Sequence, residues 1–220
     1  MRKKLLTLSK SNALIFKVDT TKAGISDSYS FRIPTIGGGY NYTVDWGDGF
    51  VNTGVTGNIT HTYSTQGIKI IKITGVFPRF YFANSGDKLK LLSIINWGNI
   101  TYSTVQNYAF WGCTNLTSIA YGEWLNTITN GDAMFRDCTS LTTLPNSITF
   151  ASLTNGVAMF SSIINKSNYS QLLINIASYN TNNNVTFNGG GSKYNTAGQT
   201  ARNQLTGVQG WVITDGGYEP

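Results

Sequence analysis

The chain has 220 residues, of which 40% are hydrophobic, 13% aromatic and only 12% charged, with a formal net charge of +6. This composition excludes a disordered polyelectrolyte, because it supplies enough apolar material for a packed core in one large or two small domains. Glycine, asparagine, threonine and serine abound, which favours short strands and tight turns, so we predict a mainly β protein.

The positive charge is concentrated in the first part of the chain. Residues 1–90 contain twelve Lys and Arg against five acids, and residues 91–220 contain four against five. Such an excess favours an acidic protein surface, a phosphate polymer or an anionic membrane as partner. The lysines fall on alternate strand positions instead of forming an arm, so a solvated basic surface is the simpler interpretation, and we expect no nucleic-acid partner.

The first residues, "MRKKLLTLSKSNALIF", begin like a signal peptide. Polar residues 9–12 interrupt the apolar stretch, and no small-residue cleavage site follows. No stretch approaches the roughly 20 apolar residues of a membrane-spanning helix. We therefore expect an unprocessed N-terminal arm at residues 1–11 on a soluble protein made in the cytoplasm, without membrane insertion.

Residues 12–82 alternate between apolar and polar side chains with a period of two, which predicts a small antiparallel β-sandwich. Turn signals separate the apolar runs at a spacing of roughly ten residues. The five predicted strands are "ALIFKVD", "YSFRIP", "YNYTVDW", "NITHTY" and "IKIIKITGVF".

An acidic turn follows the third of these strands and faces a lone histidine. Its members are Asp45, Trp46, Gly47, Asp48 and Gly49, together with His61 and Tyr63 from a later strand. Asp-Gly supplies the positive φ angles of tight hairpins, so the backbone alone explains these residues. We expect Asp45 to accept backbone amides and His61 to lie across the turn as a buried, hydrogen-bonded imidazole. A calcium site at Asp45 and Asp48 is the alternative, although the ligand ladder of an EF-hand is absent.

The sequence "VDWGDG" followed by "HTY" resembles the signature of the polycystic-kidney-disease (PKD) type of immunoglobulin-like domain over residues 12–78. The resemblance implies a non-catalytic β-sandwich that acts as a spacer or contacts a protein or glycan.

A repeat of 25 residues occupies the middle of the chain. Its two strongest copies read "AFWGCTNLTSI" and "MFRDCTSLTTL", and "DKLKLLSI" is a degenerate earlier copy. A period of 20–29 residues with Leu-x-x-Leu/Ile predicts a leucine-rich-repeat-like solenoid of about four turns over residues 83–166, each with one short strand. The predicted core positions are Phe110, Cys113, Leu116, Ile119, Phe135, Cys138, Leu141, Leu144 and Phe160.

Two cysteines at equivalent repeat positions, Cys113 and Cys138, are expected to be neighbouring core thiols. A disulfide between them is the alternative, against which cytoplasmic synthesis argues.

The pattern F-x-x-C-T-x-L-T-x-L/I resembles the BspA-like leucine-rich repeats of Bacteroidetes and mycoplasma surface proteins and of phages of such hosts, over residues 85–165. The resemblance implies adhesion to proteins or glycans without catalysis.

Residues 167–220 lose the period and predict a small α/β C-terminal cap. "SNYSQLLINIASY" has helical spacing with Ser167 or Asn168 as its cap, "NVTFNGGGSKY" predicts a strand and turn, "NTAGQTARNQLTG" a second helix, and "GWVITDGG" a last strand. An uncapped repeat array would expose its core and a strand edge, which such a unit would cover.

No residue pattern indicates an enzyme or a cofactor. The chain has one histidine, and "NGGGSK" lacks the ending of a phosphate loop. Glu123, Asp132 and Asp137 could imitate the paired carboxylates of a glycosidase, but loop acids of a repeat are commoner. A polysaccharide-degrading enzyme is therefore the least favoured alternative.

An immunoglobulin-like module, a short repeat block, a C-terminal cap and no convincing signal peptide together predict a non-catalytic phage virion protein. It would be a capsid decoration, a fibre or a tail adhesion component, assembled in the host cytoplasm. A bacterial cell-surface adhesin is the alternative, and a homo-oligomer stays open. We expect the basic N-terminal part to dock on an acidic capsid or tail surface through Lys69, Lys72 and Arg79. Candidate contacts to a host glycan or protein are Trp111, Tyr121 and Trp124.

Overall fold

The computed structural model describes residues 11–162 and 164–220, so the predicted arm at residues 1–11 lies almost wholly outside the described residues. The described chain is mainly β, with two α-helices near the C-terminus. The strands are β1 (Leu14–Asp19), β2 (Ser30–Ile33), β3 (Asn41–Asp45), β4 (Val51–Val55), β5 (Ile59–Thr62), β6 (Ile68–Val76), β7 (Leu91–Asn96), β8 (Ser118–Ile119), β9 (Asn155–Phe160), β10 (Thr186–Gly189) and β11 (Val212–Thr214), and the helices are α1 (Lys166–Tyr179) and α2 (Thr196–Gly207).

The N-terminal part contains six strands where the sequence predicted five. The additional strand, β4, has four exposed residues of five and no apolar alternation, so the period-two pattern does not mark it. A six-stranded sheet runs in the order β4-β3-β6-β1-β7-β8, and β2 pairs with β5 in a separate two-stranded sheet. Phe16 of β1 and Phe31 of β2 meet between the two sheets, with ring centroids 6.0 Å apart.

The six-stranded sheet crosses the predicted domain boundary at residues 82/83. β1 pairs antiparallel with β7, placing Phe16 opposite Ile94, and β7 pairs parallel with β8, placing Ile94 opposite Ile119. A buried lysine also joins the two parts, since the ammonium of Lys90 donates to the carbonyl oxygens of Asp27 and Ser30 at 2.6 and 2.8 Å. The first two predicted units therefore share one sheet and one core.

In the middle of the chain, segments 25 residues apart lie side by side in parallel. Parallel bridges connect residue 105 to 130 and residue 130 to 155. Phe110 and Phe135 stack with ring centroids 5.5 Å apart and planes at 6°, and Phe135 and Phe160 do so at 5.5 Å and 9°. The three rings form one column, and all nine predicted core positions are buried.

The backbone repeats with the same period. Ala83, Tyr108, Ala133 and Ala158 have φ of 45°, 61°, 50° and 49°, so a left-handed residue recurs every 25 positions. The strand expected at residues 141–144 is absent, however. The prediction of one strand per repeat at Leu-x-x-Leu/Ile is therefore wrong for that copy.

The C-terminal part continues the parallel arrangement. β9, β10 and β11 form a parallel sheet, and α1 and α2 connect its strands. Asn165 caps α1, its Oδ1 accepting the amide of Asn168 at 2.9 Å, so the predicted caps Ser167 and Asn168 are wrong. Asn195 caps α2 in the same manner at 3.1 Å.

A single apolar cluster extends through the described chain from β1 to Trp211. Aromatic rings continue the phenylalanine column at one end from Phe160 to Phe187 at 6.2 Å and on to Trp211 at 6.3 Å. At the other end Phe110 lies 5.6 Å from Phe80. This continuous core holds the surface loops of neighbouring repeats in fixed register.

Candidate functional site

The acidic turn is closed by its own hydrogen bonds. Oδ1 of Asp45 accepts the amide of Gly47 at 2.9 Å, and Oδ2 of Asp48 lies 2.8 Å from Nε2 of His61. The His61 ring stacks on Trp46 at 4.9 Å, and the Tyr63 hydroxyl donates to the Trp46 carbonyl at 3.1 Å. His61 is partly buried, with 12% of its side chain exposed, whereas the sequence predicted a buried imidazole.

The electrostatics of the turn follow from this pairing. Partial burial would raise the pKa of Asp48, but the hydrogen bonds from His61 and the Phe50 amide outweigh it and lower that pKa below its usual value. Gly49, at the tip, has a φ of 96°. Within the described residues no group of three or more His, Cys, Asp or Glu side chains is arranged to hold a metal ion. Asp45 and Asp48 are engaged with their own loop and with His61.

The three predicted docking cations lie in different environments. Lys72 is half exposed and lies 3.6 Å from Asp45. Lys69 donates to Thr65 and lies 4.7 Å from the centre of the Tyr63 ring. Arg79 donates to the carbonyl of Val105 at 3.2 Å. Each of the three has a different partner within the protein, and their role in docking stays a prediction.

Trp111 is separated from the other two candidate binding residues. Its Nε1 donates to Asp137 at 2.9 Å, and the guanidinium of Arg136 lies 4.8 Å from its ring centre. Asp137 also accepts the hydroxyl of Ser161 at 3.0 Å. Both the ring and the polar edge of Trp111 have partners within the protein.

Tyr121 and Trp124 line one open cleft of about 370 Å³, which we call the aromatic cleft. It lies between the segment that follows β7 and the segment that follows β8. Its lining consists of Asn96, Trp97, Gly98, Asn99, Ile100, Tyr102, Tyr121, Gly122, Glu123 and Trp124.

Three rings form the wall of the aromatic cleft. Trp124 stacks on Tyr102 with centroids 4.2 Å apart and planes at 19°, and Trp97 meets Trp124 edge to face at 4.9 Å. Trp97 donates from Nε1 to the carbonyl of Ala120 at 2.6 Å, and the Tyr102 hydroxyl donates to the carbonyl of Trp97. Burial raises the pKa of Tyr102 well above its usual value. The hydroxyl therefore stays protonated and holds the wall in place.

One polar atom in this wall lacks a partner. Nε1 of Trp124 is buried and makes no hydrogen bond to the described residues. A buried indole N–H normally finds an acceptor, so Nε1 of Trp124 is an unsatisfied donor in the wall of the cleft. Gly122 gives the indole its space, because a Cβ there would lie 2.7 Å from Cδ1 of Trp97 and 3.0 Å from Nε1 of Trp124.

Glu123 is the single carboxylate among the residues that line the aromatic cleft. Asp137 is bound to Trp111, and the carbonyl of Asp132 accepts the amide of Tyr108 at 2.9 Å in the stacked segments. The three acids that could imitate a glycosidase pair therefore do not meet in the cleft. Flat rings, an unpaired N–H and a few amide and carboxylate groups instead suit a ligand with both apolar faces and hydroxyl groups.

Trp97 and Tyr102 were not predicted from the sequence. A signal was available, since an aromatic residue closely follows the strand in two successive repeats: Trp97 follows β7 and Tyr121 follows β8. Tyr102 carries no such signal in the sequence. Only the fold brings its ring against that of Trp124.

No family model, curated protein or solved structure matches this chain. In the residues that the structure describes, none of the helices has the length and apolar character to cross a lipid bilayer.

Proposed function

We propose that this chain is a non-catalytic adhesion protein of a virion and that it holds a host-surface glycan in the aromatic cleft. The observation that carries the proposal is the Trp124 ring, which is stacked on Tyr102 with its indole N–H unpaired. Such a ring offers a preformed flat face, and a small shift of the cleft wall would bring its buried donor to a ligand acceptor.

The rings and the polar groups of the cleft contact different parts of a sugar. The faces of Trp124 and Tyr121 cover the C–H surfaces of a sugar ring, while Glu123 and the neighbouring asparagines supply acceptors and donors for its hydroxyl groups. Tyr121 is 40% exposed, so its ring is accessible to such a ligand.

Two modules make up the proposed scaffold, an immunoglobulin-like sandwich of the PKD type and a short leucine-rich-repeat-like solenoid. The sandwich is supported by the β2–β5 pair facing the larger sheet through Phe31 and Phe16. The solenoid is supported by the parallel bridges at a spacing of 25 residues and by the four left-handed residues at that spacing. The first resemblance implies a spacer or a module that contacts a protein or glycan, and the second implies adhesion.

The combination of a PKD-type sandwich with BspA-like repeats favours a virion as the setting. A bacterial cell surface is the alternative. Mass spectrometry of purified particles would detect the chain if it is a virion component. Detection on intact bacterial cells, with none in particles, would favour the cell-surface alternative.

Binding through the cleft is tested with a glycan array and by tryptophan fluorescence. We expect Trp124→Ala to abolish glycan binding and Trp124→Phe to weaken it, because phenylalanine keeps a ring but loses the N–H donor. Trp111→Ala is the matched control, since Trp111 lies outside the cleft, and it should bind as the unaltered protein does. Equal loss in both alanine variants would contradict the proposal.

The enzymatic alternative is tested with the same glycans. After prolonged incubation we expect no new reducing ends, because a single carboxylate lines the cleft and a glycosidase needs two. Release of reducing ends that Glu123→Gln abolishes would overturn the non-catalytic proposal.

A further inference from the structure

The aromatic cleft continues into a second depression along the stack of repeats. Tyr121 lines both, and the second depression has a volume of about 490 Å³. We call it the amide groove, and its other lining residues are Asn126, Asn146, Ser147, Thr149, Ala151, Asn175 and Tyr179. Asn146 in turn also lines a third depression, which ends at Asn165 and Asn168 near the start of α1.

The direction of this surface follows from the repeat. Asn96 lines the aromatic cleft, Tyr121 lines the cleft and the groove, and Asn146 lines the groove, and these three positions are 25 residues apart. Equivalent positions of successive repeats thus lie along one surface, and the stacked phenylalanines advance by 5.5 Å per repeat. The surface is therefore elongated and runs parallel to the stack. A site for a compact ligand would instead be a single enclosed pocket.

The amide groove carries no charged side chain among its lining residues, and the same holds for the third depression. The part of the chain that lines these depressions is close to neutral, since residues 91–220 contain four Lys and Arg against five acids. An anionic polymer would need Lys or Arg along its path, and these are missing from the groove. A neutral polymer has no such requirement.

Hydrogen bonds inside the protein fix the floor of the groove. Asn175 donates to the carbonyl oxygens of Asn146 and Ile148 at 2.6 and 2.9 Å, and Asn126 accepts the amide of Thr149 at 2.9 Å. The hydroxyl groups of Thr149 and Ser147 and the Nδ2 of Asn146 have no partner among the described residues. These free groups are the donors and acceptors that sugar hydroxyls pair with.

Tyr179 supplies a second exposed ring to the lining of the groove. It is the last residue of α1, and 63% of it is exposed. Tyr121 and Tyr179 both line the groove together with amide and hydroxyl groups, and Tyr121 also lines the aromatic cleft with Trp124. Aromatic faces at intervals along a polar path match a chain of several sugar rings.

We propose that the aromatic cleft and the amide groove together bind one extended, uncharged polysaccharide strand that runs along the stack of repeats. This inference rests on the proposed glycan-binding function and adds the charge, the shape and the direction of the ligand. Trp124 anchors one end of the strand, and Tyr179 contacts sugar rings several positions further along.

The test measures affinity by tryptophan fluorescence for disaccharides and hexasaccharides of linear uncharged glucose, mannose and N-acetylglucosamine polymers, and for a hexasaccharide of uronic acids. In at least one uncharged series we expect the hexasaccharide to bind about tenfold more tightly than the disaccharide. Tyr179→Ala should remove that advantage without changing disaccharide affinity, and Trp124→Ala should weaken both. Tyr29→Ala, which alters an exposed tyrosine in the N-terminal part, is the control and should change neither.

Each other outcome counts against a stated part of the proposal. Equal affinity for disaccharide and hexasaccharide, or an unaffected advantage in Tyr179→Ala, would overturn the extended strand while leaving glycan binding in the cleft intact. Preference for the uronic acid hexasaccharide would overturn the uncharged ligand. Failure to bind any of these sugars would overturn both this inference and the proposed function.

Discussion

Trp124 and Tyr102 stack with ring centroids 4.2 Å apart, although they belong to the segments that follow two different strands. The segment of Tyr102 follows β7, and that of Trp124 follows β8, and β7 and β8 pair in parallel. Because the two strands are parallel, the segments that follow them leave the sheet at the same end. The stack thus exists because neighbouring repeats are in register, so the cleft should respond to changes in either repeat.

Gly122 controls the shape of the aromatic cleft. We expect Gly122→Ala to displace the two indoles, because the new Cβ would lie 2.7 Å from Trp97. The near-ultraviolet circular dichroism should change and glycan binding should fall. Gly207→Ala, where the added Cβ meets nothing within 4 Å, is the control. An unchanged spectrum with full binding in Gly122→Ala would contradict this role.

Phe135 lies in the middle of the phenylalanine column. Phe135→Ala should lower the free energy of unfolding by about 3–5 kcal/mol, because it leaves a cavity between two stacked rings. Denaturant titration measures the effect. Phe50→Ala is the control, since Phe50 is 67% exposed and its loss should change stability by less than about 0.5 kcal/mol. Similar values for both variants would mean that the column contributes little.

Asp87 and Lys90 form a fully buried pair, with Oδ1 and Nζ 3.9 Å apart. Burial lowers the pKa of Lys90, and the carboxylates of Asp87 and Asp27 oppose that shift. Asp87→Asn should cost about 3–5 kcal/mol of stability, because it removes the buried counter-charge of the Lys90 ammonium. The double variant Asp87→Asn/Lys90→Met should recover part of the loss in the same denaturant titration. A double variant less stable than Asp87→Asn would contradict this explanation.

Buried tyrosines should make the protein unstable in alkali. Burial raises the pKa of Tyr42, Tyr102 and Tyr169 above the usual 10.0. Because the folded state keeps these protons more tightly, their contribution is fully present below pH 10 and is lost as the pH rises further. Ultraviolet absorbance should show the exposed tyrosines ionising first and the buried ones only as the chain unfolds. Ionisation of all twelve in one step near pH 10, with the fold intact, would contradict this.

Both cysteines are free and buried. Burial raises the pKa of the Cys113 and Cys138 thiols, so neither forms a thiolate near neutral pH. The native protein should not react with Ellman's reagent, whereas the protein in denaturant should react at two thiols. Rapid reaction of the native protein would show that one of these thiols is accessible.

The sequence by itself indicated much of the fold. The 25-residue spacing of Phe110, Phe135 and Phe160 was visible in the letters, and the structure stacks their rings, since a repeated backbone presents the same side chain at each step. The "WGDG" turn and the two C-terminal helices could also be predicted, because Asp-Gly and helical apolar spacing act locally. The cap of α1 could not be assigned, since several polar residues precede the helix and only Asn165 has the required geometry.

The tertiary structure alone decided how the parts join and where the candidate site lies. Pairing of β1 with β7 merges the two predicted modules into one sheet, and it depends on residues about 75 positions apart, which no local pattern encodes. The same holds for the aromatic cleft, because Trp97 and Tyr102 look like ordinary apolar residues in the sequence and nothing there joins them to Trp124. Side-chain type is a property of the chain, whereas the distance between side chains from different repeats is set only when the core packs.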